Sequence, residues 1–70
     1  MKQVTAMMAG IVIEVLVGPG DSVVDGQDVV ILESMKMQLP VQSNIGGKVS
    51  EIKVAPGDFV NEGDPIVTLE

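Results

Sequence analysis

Gly10 to Glu33 reads GIVIEVLVGPGDSVVDGQDVVILE, and Gly47 to Glu70 reads GKVSEIKVAPGDFVNEGDPIVTLE. Superimposed at an offset of 37, the two stretches are identical at twelve of 24 positions without a gap. The matches are Gly10/Gly47, Val12/Val49, Glu14/Glu51, Val17/Val54, Pro19/Pro56, Gly20/Gly57, Asp21/Asp58, Val23/Val60, Gly26/Gly63, Val30/Val67, Leu32/Leu69 and Glu33/Glu70. Val15/Ile52 and Val29/Ile66 are conservative pairs. Ungapped half identity predicts one backbone path, travelled twice. Neither half buries its apolar face alone, whereas two packed together close a common core.

Each half reads as strands. IVIEVLV and KVSEIKV are β-branched runs, and the second alternates so that Val49, Ile52 and Val54 are the expected buried residues, with a change of phase near Ser50-Glu51. Pro19-Gly20 and Pro56-Gly57 fit the two central positions of a type II turn, where Pro presets φ and Gly accepts φ > 0. Asp21 and Asp58 are placed to hydrogen-bond their own backbone at that turn. Gly26 and Gly63 mark a second reversal, after which DVVILE and PIVTLE close the two halves. No stretch of helical length keeps a 3.6-residue period free of Gly or Pro. The class is all-β.

Composition narrows the function. Seventy residues make one small domain, spanning 1–70, whose core the whole chain must share. The sequence has neither histidine nor cysteine, which removes the commonest general base, thiolate metal sites, disulfides and Ser-His or Cys-His nucleophiles. A self-contained enzyme is not expected. The net charge is −6, with Lys2, Lys36, Lys48 and Lys53 as the cations, and Phe59 is the one aromatic. Such a surface repels phosphate backbones and offers no stacking platform, so nucleic acid is not an expected partner. No segment approaches the ~20 apolar residues of a membrane span, and MKQVTAMMAG is no secretory leader, so the expected setting is cytoplasmic, away from membranes. The VGPGD loop lacks the following Lys or helix N-terminus of a phosphate cradle and, occurring in both halves, reads as turn chemistry. Glu14, Asp25, Asp28, Glu51, Glu62 and Asp64 read as a solvated face, although paired carboxylates for glycoside chemistry remain an alternative.

The repeat isolates one segment. Extending the offset puts Met1 on Gln38, so the halves run from about 1–33 and 38–70, and residues 34–37 have no counterpart. Those residues, Ser34-Met35-Lys36-Met37, join two strands and are expected to form a hairpin turn between Glu33 and Gln38. Under a pseudo-two-fold, this junction lies at the other end of the domain from the chain termini. The segment has no Gly, Asn, Asp or Pro, the residues that tight turns demand. Centring a primed turn on Met35-Lys36 places side chains with a Cβ at φ > 0, at on the order of 1 kcal/mol each.

Lysines on surface turns are ordinary. Lys36, however, is one of four lysines in an acidic chain, stands where the symmetry breaks, and displaces the residues a turn prefers. A local rule broken at the symmetry centre points to selection for function. Met35 and Met37 have two readings, as gap-fillers at the barrel end and as an adaptable apolar surface through which another protein recognises the turn.

ESMKM between two such half-repeats resembles the biotinyl/lipoyl attachment domains, whose members hold a cofactor amide-linked to the lysine of a hairpin turn. The resemblance covers the whole chain, from MMAGIV through PGDSVVDGQDVVILE and the lysine motif to GGKVSEIKVAPGDFVNEGDPIVTLE. It implies a flattened β-barrel, or barrel-sandwich hybrid, of two four-stranded antiparallel sheets related by a pseudo-two-fold. Biotinyl members read A-M-K-M and lipoyl members D-K-A, so Met35 and Met37 match the biotin side and Ser34 replaces Ala. Met7 stands where the family often has Pro, and no thumb is inserted between strands.

The resemblance implies a carrier of covalent biotin, with lipoate as the alternative cofactor. Lys36 would be the attachment point, Met35 and Met37 the determinants of ligase recognition and cofactor choice, and Glu33 and Ser34 the flanks of the turn. The implied partners are a biotin protein ligase and enzymes of the biotin carboxylase and carboxyltransferase type. The ligase would present biotinyl-adenylate and supply the means of deprotonating the amine, since free lysine has a pKa of ~10.4. The domain would present the cofactor and do no bond chemistry itself. An unmodified β-barrel adaptor that docks partners through Met35 and Met37 is the alternative from another class. Starting at Met1 and closing its core by Glu70, the chain is expected to be free-standing.

Overall fold

The computed structural model describes residues 2–70; the expected start of the first half at Met1 lies outside them. The described residues form eight strands and no helix: β1 (Lys2–Thr5), β2 (Gly10–Val15), β3 (Ser22–Val23), β4 (Asp28–Ser34), β5 (Met37–Gln42), β6 (Gly47–Ile52), β7 (Phe59–Val60) and β8 (Pro65–Leu69). At the offset of 37, β2 falls on β6 and β3 on β7, end for end.

The strands make two four-stranded antiparallel sheets, ordered β1-β8-β6-β3 and β5-β4-β2-β7. Exchanging each strand for its repeat partner converts one order into the other, which is the signature of a pseudo-two-fold. Each sheet takes two strands from each half. The halves are therefore interlaced, not stacked as two separate units.

Turns fasten one half to the other. The Gly20 amide donates to the Val49 carbonyl at 2.9 Å, and Val49 N–H returns to Asp21 O at 2.8 Å. The mirror set is Gly57 N–H to Val12 O at 2.7 Å and Val12 N–H to Asp58 O at 2.8 Å. Gly20 and Gly57 have φ of 94° and 96°, and Asp21 and Asp58 N–H close the turns onto Gly18 O and Ala55 O at 3.0 Å, as type II geometry requires. The aspartate side chains reach back across the turn, accepting from Gly18 N–H at 2.8 Å and Ala55 N–H at 2.9 Å.

The alternation slips at one place in each half. Register shifts lie between Val12 and Glu14 against β4, and between Val49 and Glu51 against β8. Ile13 and Ser50 are the extra residues of two equivalent β-bulges, which accounts for the change of phase expected near Ser50-Glu51.

The core is filled by repeat pairs. Val4/Val41, Val12/Val49, Val23/Val60, Val29/Ile66, Val30/Val67 and Leu32/Leu69 are all no more than 3% exposed. Ala6 and Ser43 form a seventh buried pair, in which the Ser43 hydroxyl donates to the Ile45 carbonyl. Ile52 and Val54, expected inside with Val49, pack against this core while half-buried. Burial of such aliphatic side chains contributes roughly 1.5–3 kcal/mol each, and small β-branched residues suit a space between two close sheets.

Candidate functional site

The hairpin between β4 and β5 is a turn centred on Met35-Lys36, as the sequence suggests, with the unduplicated residues 34–37 as its four positions. Glu33 pairs with Gln38 and Ser34 with Met37, so both strands continue past the edge of the duplication. Met35 and Lys36 alone make the loop. Their φ values are 53° and 65°, and among the described residues they are the only non-glycine positions with positive φ. Two central residues at positive φ define a type I′ turn, whose twist matches that of the flanking strands and which ordinarily selects Asn-Gly. With a Cβ at both positions, the turn stores on the order of 1–2 kcal/mol per residue. The strain expected from the sequence is present in the backbone.

The strained turn has a rigid base. β4 lies between β5 and β2, and β2 approaches it closely at Gly10. A Cβ at Gly10 would lie 2.8 Å from the carbonyl oxygen of Glu33, closer than real Cβ contacts come. The missing side chain lets three strands converge beneath the turn.

What the turn presents is almost wholly solvated. Met35 is 92% exposed and Met37 60%, while Lys36 and Glu33 are exposed and Ser34 is half-buried. Met35 fills no gap at the barrel end, and Met37 leaves more than half of its surface in water, so packing alone does not account for the pair. Among the described residues the ion pair present joins Lys53 Nζ to Glu51 at 2.9 Å, and no hydrogen bond engages the Lys36 amine. The arrangement is a fixed post that ends in an accessible primary amine flanked by two thioethers.

Asp64 accepts from Asn61 N–H at 2.8 Å and Asp28 from the Gln42 side-chain amide at 3.0 Å, both local structural roles. Among the described residues no three Asp or Glu side chains converge to hold a metal ion. Two shallow depressions, one beside Lys53, Asp58 and Phe59 and one beside Met7, Asp25 and Asn44, include no residue of the β4–β5 turn in their lining.

Reading the sequence does not single out two exposed apolar residues on the sheet that bears the hairpin. Ile11 stands opposite both Glu33 and Phe59, and Ile11 and Phe59 are 46% and 64% exposed. Their signal was a mismatch: the repeat puts Lys48 where Ile11 stands and Ser22 where Phe59 stands.

The family described as "Biotin-requiring enzyme" matches residues 2–69. The chain is 41% identical over 46 residues to a "Biotinylated protein TB7.3 homolog" from Mycobacterium leprae (strain TN), covering 66% of this chain and 65% of that one. It is 48% identical over 44 residues to a "Biotin/lipoyl attachment protein" from Bacillus subtilis (strain 168), covering 63% of this chain and 60% of that one. These matches thus span less than two thirds of either relative. Among solved structures, a single-chain, multi-domain long-chain acyl-CoA carboxylase superimposes on 94% of this chain with a TM-score of 0.85 and 33% identity. Kluyveromyces lactis urea carboxylase superimposes on 99% with a TM-score of 0.90 and 29% identity. The similar regions make up 7% and 6% of those two carboxylase chains.

Proposed function

Because this chain belongs to the biotin/lipoyl attachment family, we propose that Lys36 is acylated by a biotin protein ligase and that the chain then presents biotin to carboxylase-type enzymes. The observation behind this reading is the Lys36 amine, exposed and, among the described residues, without a hydrogen-bond partner, on a two-residue turn at positive φ that ordinarily selects Asn-Gly. The likeness to regions of two carboxylases supports the choice of partner class.

The residues present fit a covalent arm. An amide needs an accessible amine and clearance for an enzyme active site, and the hairpin offers both. In the step proposed, the neutral Lys36 amine attacks the acyl carbon of an acyl-adenylate. The C–N bond forms, the bond to the AMP oxygen breaks, and the surplus proton passes to a base of the ligase. Once attached, the cofactor supplies the carboxyl-carrying chemistry. Met35 and Met37 give the ligase two polarizable, adaptable contacts that distinguish this turn from other lysines, and Glu33 and Ser34 fix where the strands end. The chain's own part is positional: the β4–β5 ladder and Gly10 hold the turn away from the sheets, and the chain breaks no bond itself.

Intact mass after co-expression with a biotin ligase and biotin tests the reading. The mass should rise by one biotinyl group, and Lys36→Arg should abolish the gain. An unchanged mass with a demonstrably active ligase overturns it. The Met35-Lys36-Met37 pattern favours biotin, so a lipoate ligase should label the wild-type chain far less. Preferential labelling by the lipoate enzyme would reverse the choice of cofactor.

A further inference from the structure

Oxidisable side chains are few in this chain, and they are unevenly placed. The sequence has no Cys, Trp, Tyr or His but five methionines, so mild oxidants find their targets in methionine sulfur. Among the described residues the buried core is built of Val, Ile, Leu and Ala, with no methionine in it. Met35 is 92% exposed, Met37 60% and Met7 54%, while Met8 is half-buried. Two of the five methionines flank Lys36 directly, in the segment that the duplication does not cover.

Sulfur is more than apolar contact requires at these two positions. Leucine would supply similar bulk and hydrophobicity. What methionine adds is a flexible thioether that is open to two-electron oxidation. Oxidation there leaves the fold in place, because neither side chain belongs to the core and the ladder beneath the turn is held by the backbone. It does change the surface around the amine. A sulfoxide is polar and chiral and holds its water, so an apolar recess that accepts two thioethers no longer accepts the turn.

We propose that Met35 and Met37 form a reversible oxidation site that controls whether Lys36 is acylated, with a hydroperoxide as the oxidant. The thioether sulfur attacks one oxygen of hydrogen peroxide. The S–O bond forms, the O–O bond breaks, and the hydroxide released takes the proton of the transferred oxygen and leaves as water. Each sulfur gives up two electrons, which the peroxide gains. Methionine sulfoxide reductases, one for each sulfoxide epimer, remove the oxygen and restore the thioether. The inference rests on the reading of Lys36 as the acylated residue and adds a control on that step. The control acts before acylation, since an amide already formed at Lys36 is not broken by oxidation of its neighbours.

The unacylated 70-residue chain, treated with hydrogen peroxide and then freed of it, is assayed with a purified biotin ligase and biotin. Fragment mass spectrometry should place the first added oxygen on Met35, ahead of Met37 and Met7. The kcat/KM for biotinylation should fall at least about tenfold, as when a desolvated contact is lost, and recover after treatment with the two reductases. Met7→Leu with Met8→Leu should respond to peroxide as the wild type does. Met35→Leu with Met37→Leu, whatever its untreated rate, should lose none of it. An undiminished rate in a chain with sulfoxide at both hairpin positions overturns the switch while leaving Lys36 acylation intact, and so does an equal loss in the Met35→Leu/Met37→Leu variant. Should the oxidised wild-type chain unfold, the Met7→Leu/Met8→Leu variant decides by the same rates. Unfolding of that variant as well overturns the proposal, which requires a fold indifferent to oxidation of the hairpin. An untreated wild-type chain that takes up no biotin overturns the reading of Lys36, and the switch with it.

Discussion

The chain reverses direction at positive φ in two kinds of place. At Gly20, Gly26, Gly57 and Gly63, with φ between 88° and 96°, the residue is glycine every time. At the β4–β5 hairpin the residues are Met35 and Lys36. The glycine turns occur as two equivalent pairs and connect one half to the other through backbone hydrogen bonds. Their chemistry is what folding alone would choose. The hairpin occurs once, has no counterpart, and takes residues that a type I′ turn disfavours. Two rules for the same backbone problem imply two selection pressures, one for stability and one for what the side chains present.

Giving the hairpin the residues of an ordinary turn should break this contrast most visibly. Met35→Asn with Lys36→Gly should abolish biotin incorporation, read by intact mass, while raising stability by about 1–2 kcal/mol in chemical denaturation. A stability loss would mean that the turn is not strained.

The converse change puts strain into the structural turns. Gly20→Ala and Gly57→Ala should each destabilise by about 1–2 kcal/mol, from backbone conformation alone, because nothing lies within 4 Å of an added Cβ at either site. The two values should agree within ~0.5 kcal/mol by thermal or urea unfolding. A large disparity would show that the pseudo-two-fold does not extend to energetics.

Removing the side-chain braces is a smaller version of the same comparison. Asp21→Ala and Asp58→Ala each delete one exposed hydrogen bond to the backbone and should cost about 0.5–1.5 kcal/mol, again in matched amounts. Biotinylation kinetics should not change in either variant.

The smallest effect on folding is expected at the most exposed residue of the hairpin. Met35→Ala should move stability by less than ~0.5 kcal/mol, since the side chain is 92% exposed, yet raise the KM for biotinylation severalfold. A loss of stability with unaltered kinetics would return Met35 to a packing role.

Much of the fold and of the hairpin was legible in the residues. Pro-Gly-Asp at 19–21 and 56–58 specifies its turn within four residues, whatever surrounds it. The β-bulge at Ser50 showed as a slipped alternation, and Lys36 stood out because the duplication stops on either side of it. Less legible was what stands beside what in the sheets: Ile11 and Phe59 pair across the ladder, which is a property of two strands together and belongs to neither residue's own preference.

By itself the sequence determined that there are two equivalent halves, that both are built of strands, and that one lysine lies between them. Turn chemistry, side-chain alternation and repetition are local signals, and each is complete within a few residues. Only the tertiary structure decided that β1 pairs with β8 and β3 with β6, interlacing the halves within each sheet. It alone brought Phe59 beside Ile11 and Ile11 beside Glu33, on the face next to the hairpin. Those neighbours are 48 and 22 positions apart in the chain, and pairing over such distances is settled by which arrangement buries a shared core, not by any residue's own preference.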